Sequence, residues 1–239
     1  MKSYAVIKQD TIALHPRKEW DNLGKMVCAH RRYDLGDDEL PDYSSATDWA
    51  AAFTNYIADN EDTGIDKWAT DKWGNYYYID EITDELNERG LKKFNEWIEK
   101  NLIYLPLYLY DHGGITMNTT GFSCGWDSGQ VGYIYITREK LKKEYGENIR
   151  FTRDFTERIE GYLRAEVETY DQYLTGDVWT IWYYPDADHY NDREETEVVG
   201  GYYGRDYAEE VAKSEFGADE VFFEDEAPEC IYESEKRAA

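Results

Sequence analysis

The sequence predicts an α+β protein with a mixed or antiparallel sheet, several packed helices and an aromatic-rich core. Short runs of β-branched and aromatic residues, typical of strands, are interspersed with longer segments of helical periodicity. Aromatic residues make up 16% of the 239 residues, including 23 Tyr and 8 Trp. Rings must therefore supply much of the core volume, with their polar tips free to reach water.

The first hundred residues carry two predicted strands and two predicted helices. Apolar alternation predicts strands over residues 3–8 and 25–31. Apolar residues at helical spacing predict a helix over residues 48–58 and a second helix that begins after Thr83 and ends near residue 101.

The stretch over residues 105–137 is where strand patterns and chemically able side chains coincide. It contains two predicted strands, 105–110 and 131–137, joined by a link rich in Gly, Ser and Thr. The link also holds the side chains Asp111, His112, Cys124, Trp126 and Asp127. Since loops held by strands commonly carry function, we expect the functional site here.

The remaining chain predicts helices first and then an acidic β-β-α-β segment. The predicted helices cover residues 138–145 and 153–174, and Gly176 follows as a helix stop. The predicted elements after it are strands 177–184, 197–203 and 220–223 and a helix over 206–215. We therefore expect a main domain over residues 1–176 and an acidic subdomain over 177–239 packed on it.

The charge of the chain is strongly acidic. Acidic side chains number 51 against 26 basic side chains, which gives a formal net charge of -25. Such a field repels phosphate backbones and anionic membranes, so we expect no direct nucleic-acid or membrane binding. The charge either keeps the protein soluble or attracts a basic partner. The candidate binding carboxylates are Asp37, Asp38, Glu39, Asp186, Asp188, Asp192, Glu194, Glu195, Glu224, Asp225 and Glu226.

The cysteine count and the N-terminus predict the compartment. Cys28, Cys124 and Cys230 form an odd set, and the first residues, MKSYAVIKQD, contain no apolar segment of signal-peptide length. This combination favours a reducing environment over a disulfide framework. No run of about 18 apolar residues predicts a membrane span. We therefore expect a cytoplasmic protein, and the sequence implies no cofactor.

Three segments carry a resemblance to a known family. They are KEWDNLGKMVCAHRRYDLGD, LPLYLYDHGGITMNTTGFSCGWDSGQVGYIYITREKLKKEYG and AEVETYDQYLTGDVW. These segments resemble proteins of uncharacterised activity from bacteriophages and bacterial mobile elements, over most of residues 16–180. The resemblance implies a phage setting inside a bacterial host and supplies no catalytic residues.

Cys124, His112 and Asp127 are the candidate catalytic residues, because a thiol nucleophile needs a base and a group that orients the base. Asp111 could take the place of Asp127. The alternative is that Cys124 is a packed core residue. The string Ser-Cys-Gly-Trp resembles papain-like proteases only superficially, since the histidine precedes the cysteine here.

A metal site is a further candidate, since Cys28, His30, His112 and Cys124 form a two-Cys, two-His set of the kind that zinc accepts. The spacing lacks the paired motif of zinc sites, so a core cysteine and a hydrogen-bonded histidine are the alternative.

Glu166 interrupts the apolar stripe of the long helix predicted over residues 153–174. A carboxylate there must find a cation or hydrogen-bond donors. It either pairs with Arg31, Arg32 or a Tyr hydroxyl, or it belongs to a pocket with Asp111 and Trp126, beside His112.

The function that these observations favour is non-enzymatic. We expect a phage-encoded accessory protein that binds a host protein with a basic face, as an anti-defence inhibitor whose carboxylates mimic nucleic-acid charge. The alternatives are a cysteine-dependent hydrolase that uses Cys124, His112 and Asp127, and a small-molecule sequestering protein with an aromatic pocket. Strand order, oligomeric state and the partner's identity stay open.

Overall fold

The structure is a computed structural model that describes residues 2–40, 49–63 and 88–231. The described strands are β1 (Tyr4–Gln9), β2 (Lys25–Cys28), β3 (Asp38–Glu39), β4 (Leu102–Asp111), β5 (Ile115–Asn118), β6 (Ser128–Thr137), β7 (Val178–Tyr184), β8 (Glu197–Tyr203) and β9 (Glu220–Phe223). The described helices are α1 (Pro16–Glu19), α2 (Trp49–Asn60), α3 (Glu88–Asn101), α4 (Arg138–Tyr145), α5 (Arg153–Thr175), α6 (Ala187–Asp192) and α7 (Arg205–Ser214). The predicted α+β class with an aromatic-rich core is confirmed.

The chain forms two compact units. The first unit joins Met1–Trp20 with Thr169–Ala239, and the second unit is the continuous segment Asp21–Glu168. This division differs from the predicted boundary at residue 176, because the N-terminal strand β1 pairs with β7 and β9 near the other end of the chain. A pairing partner so distant in sequence leaves no local pattern that could reveal it.

The sheet of the first unit has the strand order β8-β7-β1-β9 and is mixed, with β1 antiparallel to β7 and parallel to β9. Side chains that alternate along β1 serve opposite faces. Ala5 and Ile7 pack in a core cluster with α7, whereas Tyr4 and Val6 pack in another cluster with Tyr190 of α6. Both faces of this sheet are therefore covered by a helix.

The sheet of the second unit has the strand order β3-β2-β6-β4-β5 and is also mixed, since β2 and β3 are parallel. Its core is aromatic: the ring of Phe53 in α2 stacks on Tyr133 of β6, with centroids 4.3 Å apart, and also contacts Tyr135. Phe94 and Ile98 of α3 belong to the same buried cluster. Helical and strand periodicities supply matching apolar faces to this core.

The structure corrects several predicted elements. The predicted strand over 25–31 ends at Cys28, where the N–H of Ala29 donates to the carbonyl of Val131 beside a register shift in β6. Strand β5 and helix α6 lie in segments that were predicted to be loops, because elements of four and six residues are too short for their apolar pattern to stand out. The predicted start of the second helix, Thr83, lies outside the described residues.

Candidate functional site

A polar cleft lies at one edge of the sheet in the second unit. Because β6 runs antiparallel to both β2 and β4, the ends of β2 and β4 meet the beginning of β6 there. The cleft has a volume of about 270 Å³. It is lined by Ala29, His30, Arg31, Arg32, Leu109, Asp111, Trp126, Asp127, Ser128, Gly129, Gln130 and Val131. The topology thus brings three separate stretches of the chain to one place: residues 29–32, 109–111 and 126–131.

Asp111 and Asp127 lie beside each other in this cleft, since the N–H of Asp111 donates to the carbonyl of Asp127 at 2.8 Å. The Asp111 carboxylate forms an ion pair with Arg32 and accepts a hydrogen bond from the Tyr33 hydroxyl at 3.2 Å. The Asp127 carboxylate lies 3.2 Å from Nδ1 of His112. Each carboxylate therefore has a side-chain partner of its own.

His30 occupies an electropositive part of the cleft. Its pKa is lowered from the usual value near 6.5, first by burial and then by the positive charges of Arg32 and Arg31. Its Nδ1 accepts the backbone N–H of Arg32 at 3.3 Å, and its ring stacks on Tyr33. This geometry leaves the proton of the neutral ring on Nε2, where it is available as a donor.

Trp126 and Arg31 are the exposed groups of the cleft. The indole of Trp126 is 98% exposed and has no ring contact among the described residues. Arg31 is exposed too, and within the described part of the chain no hydrogen bond or ion pair engages its guanidinium. An exposed aromatic ring and an unengaged cation are available to a ligand.

The candidate catalytic residues come together only in part. His112 and Asp127 form a pair, with the His112 side chain 70% exposed. Cys124 is half-buried, and its carbonyl accepts a hydrogen bond from the Ser128 hydroxyl. None of the contacts among the described residues joins the Cys124 thiol to His112. The base-orienting part of a thiol enzyme is therefore present without the nucleophile–base contact.

The four metal candidates are distributed along the second unit. Cys28 is buried in β2 at 3% exposure, and His30 follows that strand. His112 and Cys124 lie in the loops after β4 and before β6. Within the described ranges, no three His, Cys, Asp or Glu side chains are grouped so that they could hold a metal ion.

Glu166 binds a turn and lines no part of the cleft. Its carboxylate accepts the backbone N–H of Leu23 at 2.7 Å and that of Gly24 at 3.2 Å. On the same turn, Nζ of Lys140 donates to the carbonyls of Asn22 and Leu23, both at 2.9 Å. Backbone donors of this turn therefore bind the Glu166 carboxylate, for which the sequence predicted Arg31, Arg32 or a tyrosine, and the turn is held from both sides.

Close packing at Gly24 explains why this turn lies against α5. A Cβ atom on Gly24 would stand 2.5 Å from Cδ2 of Leu163 and 2.9 Å from Cγ1 of Ile134. Glycine therefore lets the turn approach helix α5 closely enough for Glu166 to reach the N–H groups.

In the acidic cluster Asp37-Asp38-Glu39, the first two carboxylates form hydrogen bonds that stabilise the second unit. Asp37 accepts the N–H of Met26 at 2.8 Å. Asp38 accepts the hydroxyl of Tyr56 at 2.7 Å and pairs with Lys25 at 3.1 Å, so these partners hold the pKa of Asp38 below its usual value. Burial raises the pKa of Tyr56 to about 12. Glu39 remains exposed beside them.

The candidate binding carboxylates of residues 186–195 and 224–226 meet in the first unit, where Glu195 and Glu224 line one cleft. The segment after β9 is bonded to α6: the Tyr190 hydroxyl donates to the carbonyl of Pro228 at 2.6 Å. Asn191 and Ile231 exchange two further hydrogen bonds of 3.0 and 2.7 Å. We call the carboxylates that these contacts gather the acidic edge: Asp186, Asp188, Asp192, Glu194, Glu195, Glu224, Asp225 and Glu226.

Some members of the acidic edge have structural roles. Asp186 caps α6 by accepting the N–H of His189 at 2.9 Å, and its carboxylate lies 2.7 Å from Nδ1 of His189. The backbone N–H and then the imidazole of His189 lower the pKa of Asp186, and the side-chain hydrogen bond to Asp186 raises the pKa of His189. Glu224 lies 3.9 Å from Nζ of Lys8, and Glu226 lies 3.6 Å from Arg205.

Arg31 and Arg32 both line the cleft, although neither was predicted to belong to a binding site. The sequence feature that marks these two arginines is the short basic run His30-Arg31-Arg32, which follows a strand directly in a strongly acidic chain. Such a run at a strand end is the feature that could have identified them.

The fold and these sites define an acidic α+β protein with two mixed sheets. No protein-family model, curated protein or solved structure matches the chain. Among the described helices, none is both long and apolar enough to cross a membrane.

Proposed function

We propose that this protein acts by binding a partner protein through the acidic edge, and that the partner presents a basic face. The observation that carries the proposal is the meeting of two acidic stretches separated by about thirty residues of sequence, which the hydrogen bonds of Tyr190 and Asn191 hold in one place. Carboxylates fixed on a folded scaffold lose less entropy on binding than those of a mobile tail.

Several carboxylates of the acidic edge are exposed and are not in an ion pair with a cation of the described residues. Its exposed members are Asp188, Asp192, Glu194, Glu224, Asp225 and Glu226. Among the described residues, the neighbouring cations Lys8 and Arg205 approach Glu224 and Glu226, at 3.9 and 3.6 Å. Exposed pairs at such distances are weak and exchange readily for a partner's cations.

A cleft beside the acidic edge provides a place for an inserted side chain. It has a volume of about 440 Å³, and Glu195, Glu224 and the ring of Trp182 line it. Lys8 already lies over the Trp182 ring, 3.9 Å from its centroid. A basic side chain of a partner can take the place of Lys8 over this ring.

The class of partner follows from the charge and from the family resemblance. A host protein that binds nucleic acid has a basic face, and clustered carboxylates can replace the phosphates there. In a phage setting, a defence protein of the host is the target that such a mimic would inhibit. We assign no part of this role to Asp37 and Asp38, because the fold of the second unit uses both.

Charge neutralisation tests the proposal. The variant Asp192→Asn/Glu194→Gln/Asp225→Asn removes three exposed charges that have no structural contact among the described residues. The matched control, Glu147→Gln/Glu210→Gln/Glu215→Gln, removes three exposed charges elsewhere. Immobilised wild-type protein should capture a basic host protein from bacterial lysate, and that protein should elute as salt rises.

The expected result is that the acidic-edge variant loses most of this capture, while the control retains it. Duplex DNA should compete with the captured protein for the same partner face. Equal capture by both variants, or capture that is indifferent to salt and DNA, would refute the proposal.

A further inference from the structure

We propose that the cleft of the second unit binds a small anionic ligand that carries a planar ring, the chemical class of a nucleotide. The proposal is independent of the acidic edge, which belongs to the first unit. Two kinds of group support it: unengaged cationic donors and a fully exposed indole, both at the polar end of a sheet. Polar clefts at strand ends that combine a few fixed donors with an aromatic surface are typical of small-molecule sites.

The phosphate end of the ligand is matched by Arg31 and Arg32. Arg31 is exposed and unengaged within the described residues. Arg32 contributes one guanidinium nitrogen to its ion pair with Asp111, so most of its five N–H donors remain available. The carboxylate fixes the direction of this guanidinium, and a preoriented fork is the geometry that binds phosphate oxygens in a bidentate manner.

His30 adds a neutral donor to this cationic part of the cleft. Its Nδ1 is occupied by the backbone N–H of Arg32, so the ring presents Nε2–H. The stack on Tyr33 fixes the ring plane, with centroids 4.9 Å apart. The two charged side chains and the histidine come from three consecutive residues, and one turn therefore supplies the donors.

The ring end of the ligand is matched by Trp126. An indole that is 98% exposed contributes almost no burial to the fold. If a planar ligand ring stacks on this indole, the face of the indole and the face of the ligand ring that touch each other are both removed from water. The polar side chains of Asp127, Ser128 and Gln130 line the same cleft and can hydrogen-bond the edge of that ring.

The dimensions and the net charge select a small molecule over a polymer. A volume of about 270 Å³ lies near the lower end of the range for ligand pockets, about 300–1,000 Å³. A mononucleotide carries its charge on a single phosphate, which two neighbouring arginines can contact directly. A long nucleic acid would extend into the field of a chain with net charge -25.

Titration calorimetry with the full chain tests the assignment. The probes are the four ribonucleoside monophosphates, with inorganic phosphate and adenosine as partial ligands. Arg31→Ala and Trp126→Ala remove one recognition element each, at exposed positions that the fold does not use. Their matched controls are Arg150→Ala and Tyr162→Ala, which remove an exposed arginine and an exposed tyrosine outside the cleft.

At least one monophosphate should bind with one-to-one stoichiometry, more tightly than phosphate or adenosine by tenfold or more. Trp126→Ala should weaken it by about fivefold to a hundredfold, the range for loss of one stacked base. Arg31→Ala should weaken it by about tenfold or more, as for loss of a charged hydrogen bond. Arg150→Ala and Tyr162→Ala should change the affinity by less than twofold.

Three results would overturn the assignment. The first is the absence of binding by every monophosphate at millimolar concentration. The second is equal affinity of inorganic phosphate and the best monophosphate, which would leave an anion site without ring recognition. The third is an unchanged affinity in both Arg31→Ala and Trp126→Ala, which would place the ligand elsewhere.

Discussion

Replacing Glu166 with glutamine tests the turn that this carboxylate holds. Glu166→Gln keeps the size of the side chain but removes the charge from the bonds to the N–H groups of Leu23 and Gly24. A net hydrogen bond to a charged group contributes about 1.5–3 kcal/mol, against about 0.5–1.5 kcal/mol for a neutral one. With about 1 kcal/mol lost for each of two bonds, the second unit should lose about 2 kcal/mol of stability.

Amide hydrogen exchange and urea unfolding measure this loss. A loss of about 2 kcal/mol corresponds to about thirtyfold faster exchange of the Leu23 and Gly24 amides. The control Glu168→Gln changes an exposed carboxylate on the same helix, and it should leave exchange and the urea midpoint within about 0.5 kcal/mol of the wild type. If Glu166→Gln behaves like that control, the carboxylate does not hold the turn and the reasoning is wrong.

Two further predictions concern β6 and the histidines. Gly132→Ala should destabilise the protein by about 1–3 kcal/mol in urea unfolding, because the added Cβ would lie 2.0 Å from the carbonyl oxygen of Val27. The control Gly129→Ala, on the same strand, places its Cβ in open space and should be nearly neutral. Equal effects of the two substitutions would contradict this prediction. Histidine titration by NMR should give a pKa above 6.5 for His189 and below 6.5 for His30. The stability that the raised pKa of His189 contributes is complete below pH 6.5 and is lost as pH rises through that pKa. The stability that the lowered pKa of His30 contributes is complete above pH 6.5 and is lost as pH falls through that pKa. A lower pKa for His189 than for His30 would refute the assignment.

Local patterns were sufficient to predict most elements of the fold. Helices α4 and α5 and strands β8 and β9 begin and end within a residue or two of their predicted bounds, because apolar periodicity depends only on residues that are close in sequence. The short elements β5 and α6 were missed, since a pattern of only four or six residues is too short to establish a period. The sheet orders depend on contacts between distant residues, which one sequence does not display.

The same limit applies to the candidate site. Residue types were enough to select Asp111, Trp126 and Asp127, and all three line one cleft. The contacts of Glu166 with Leu23 and Gly24 could not be predicted, because these donors are backbone N–H groups, which every residue except proline possesses, 143 and 142 positions away. Asp38 looked like a free surface charge until its contacts with Tyr56 and Lys25 were known.

The central position of β1 in the sheet of the first unit has a consequence for synthesis on the ribosome. β1 is translated before its partners β7 and β9, which follow more than 160 residues later. The second unit is continuous in sequence, so we expect it to fold while both hydrogen-bonding edges of β1 are still unpaired. An unpaired apolar strand is a site for association with other chains. We therefore expect nascent chains that stop before β9 to be the species most prone to aggregation.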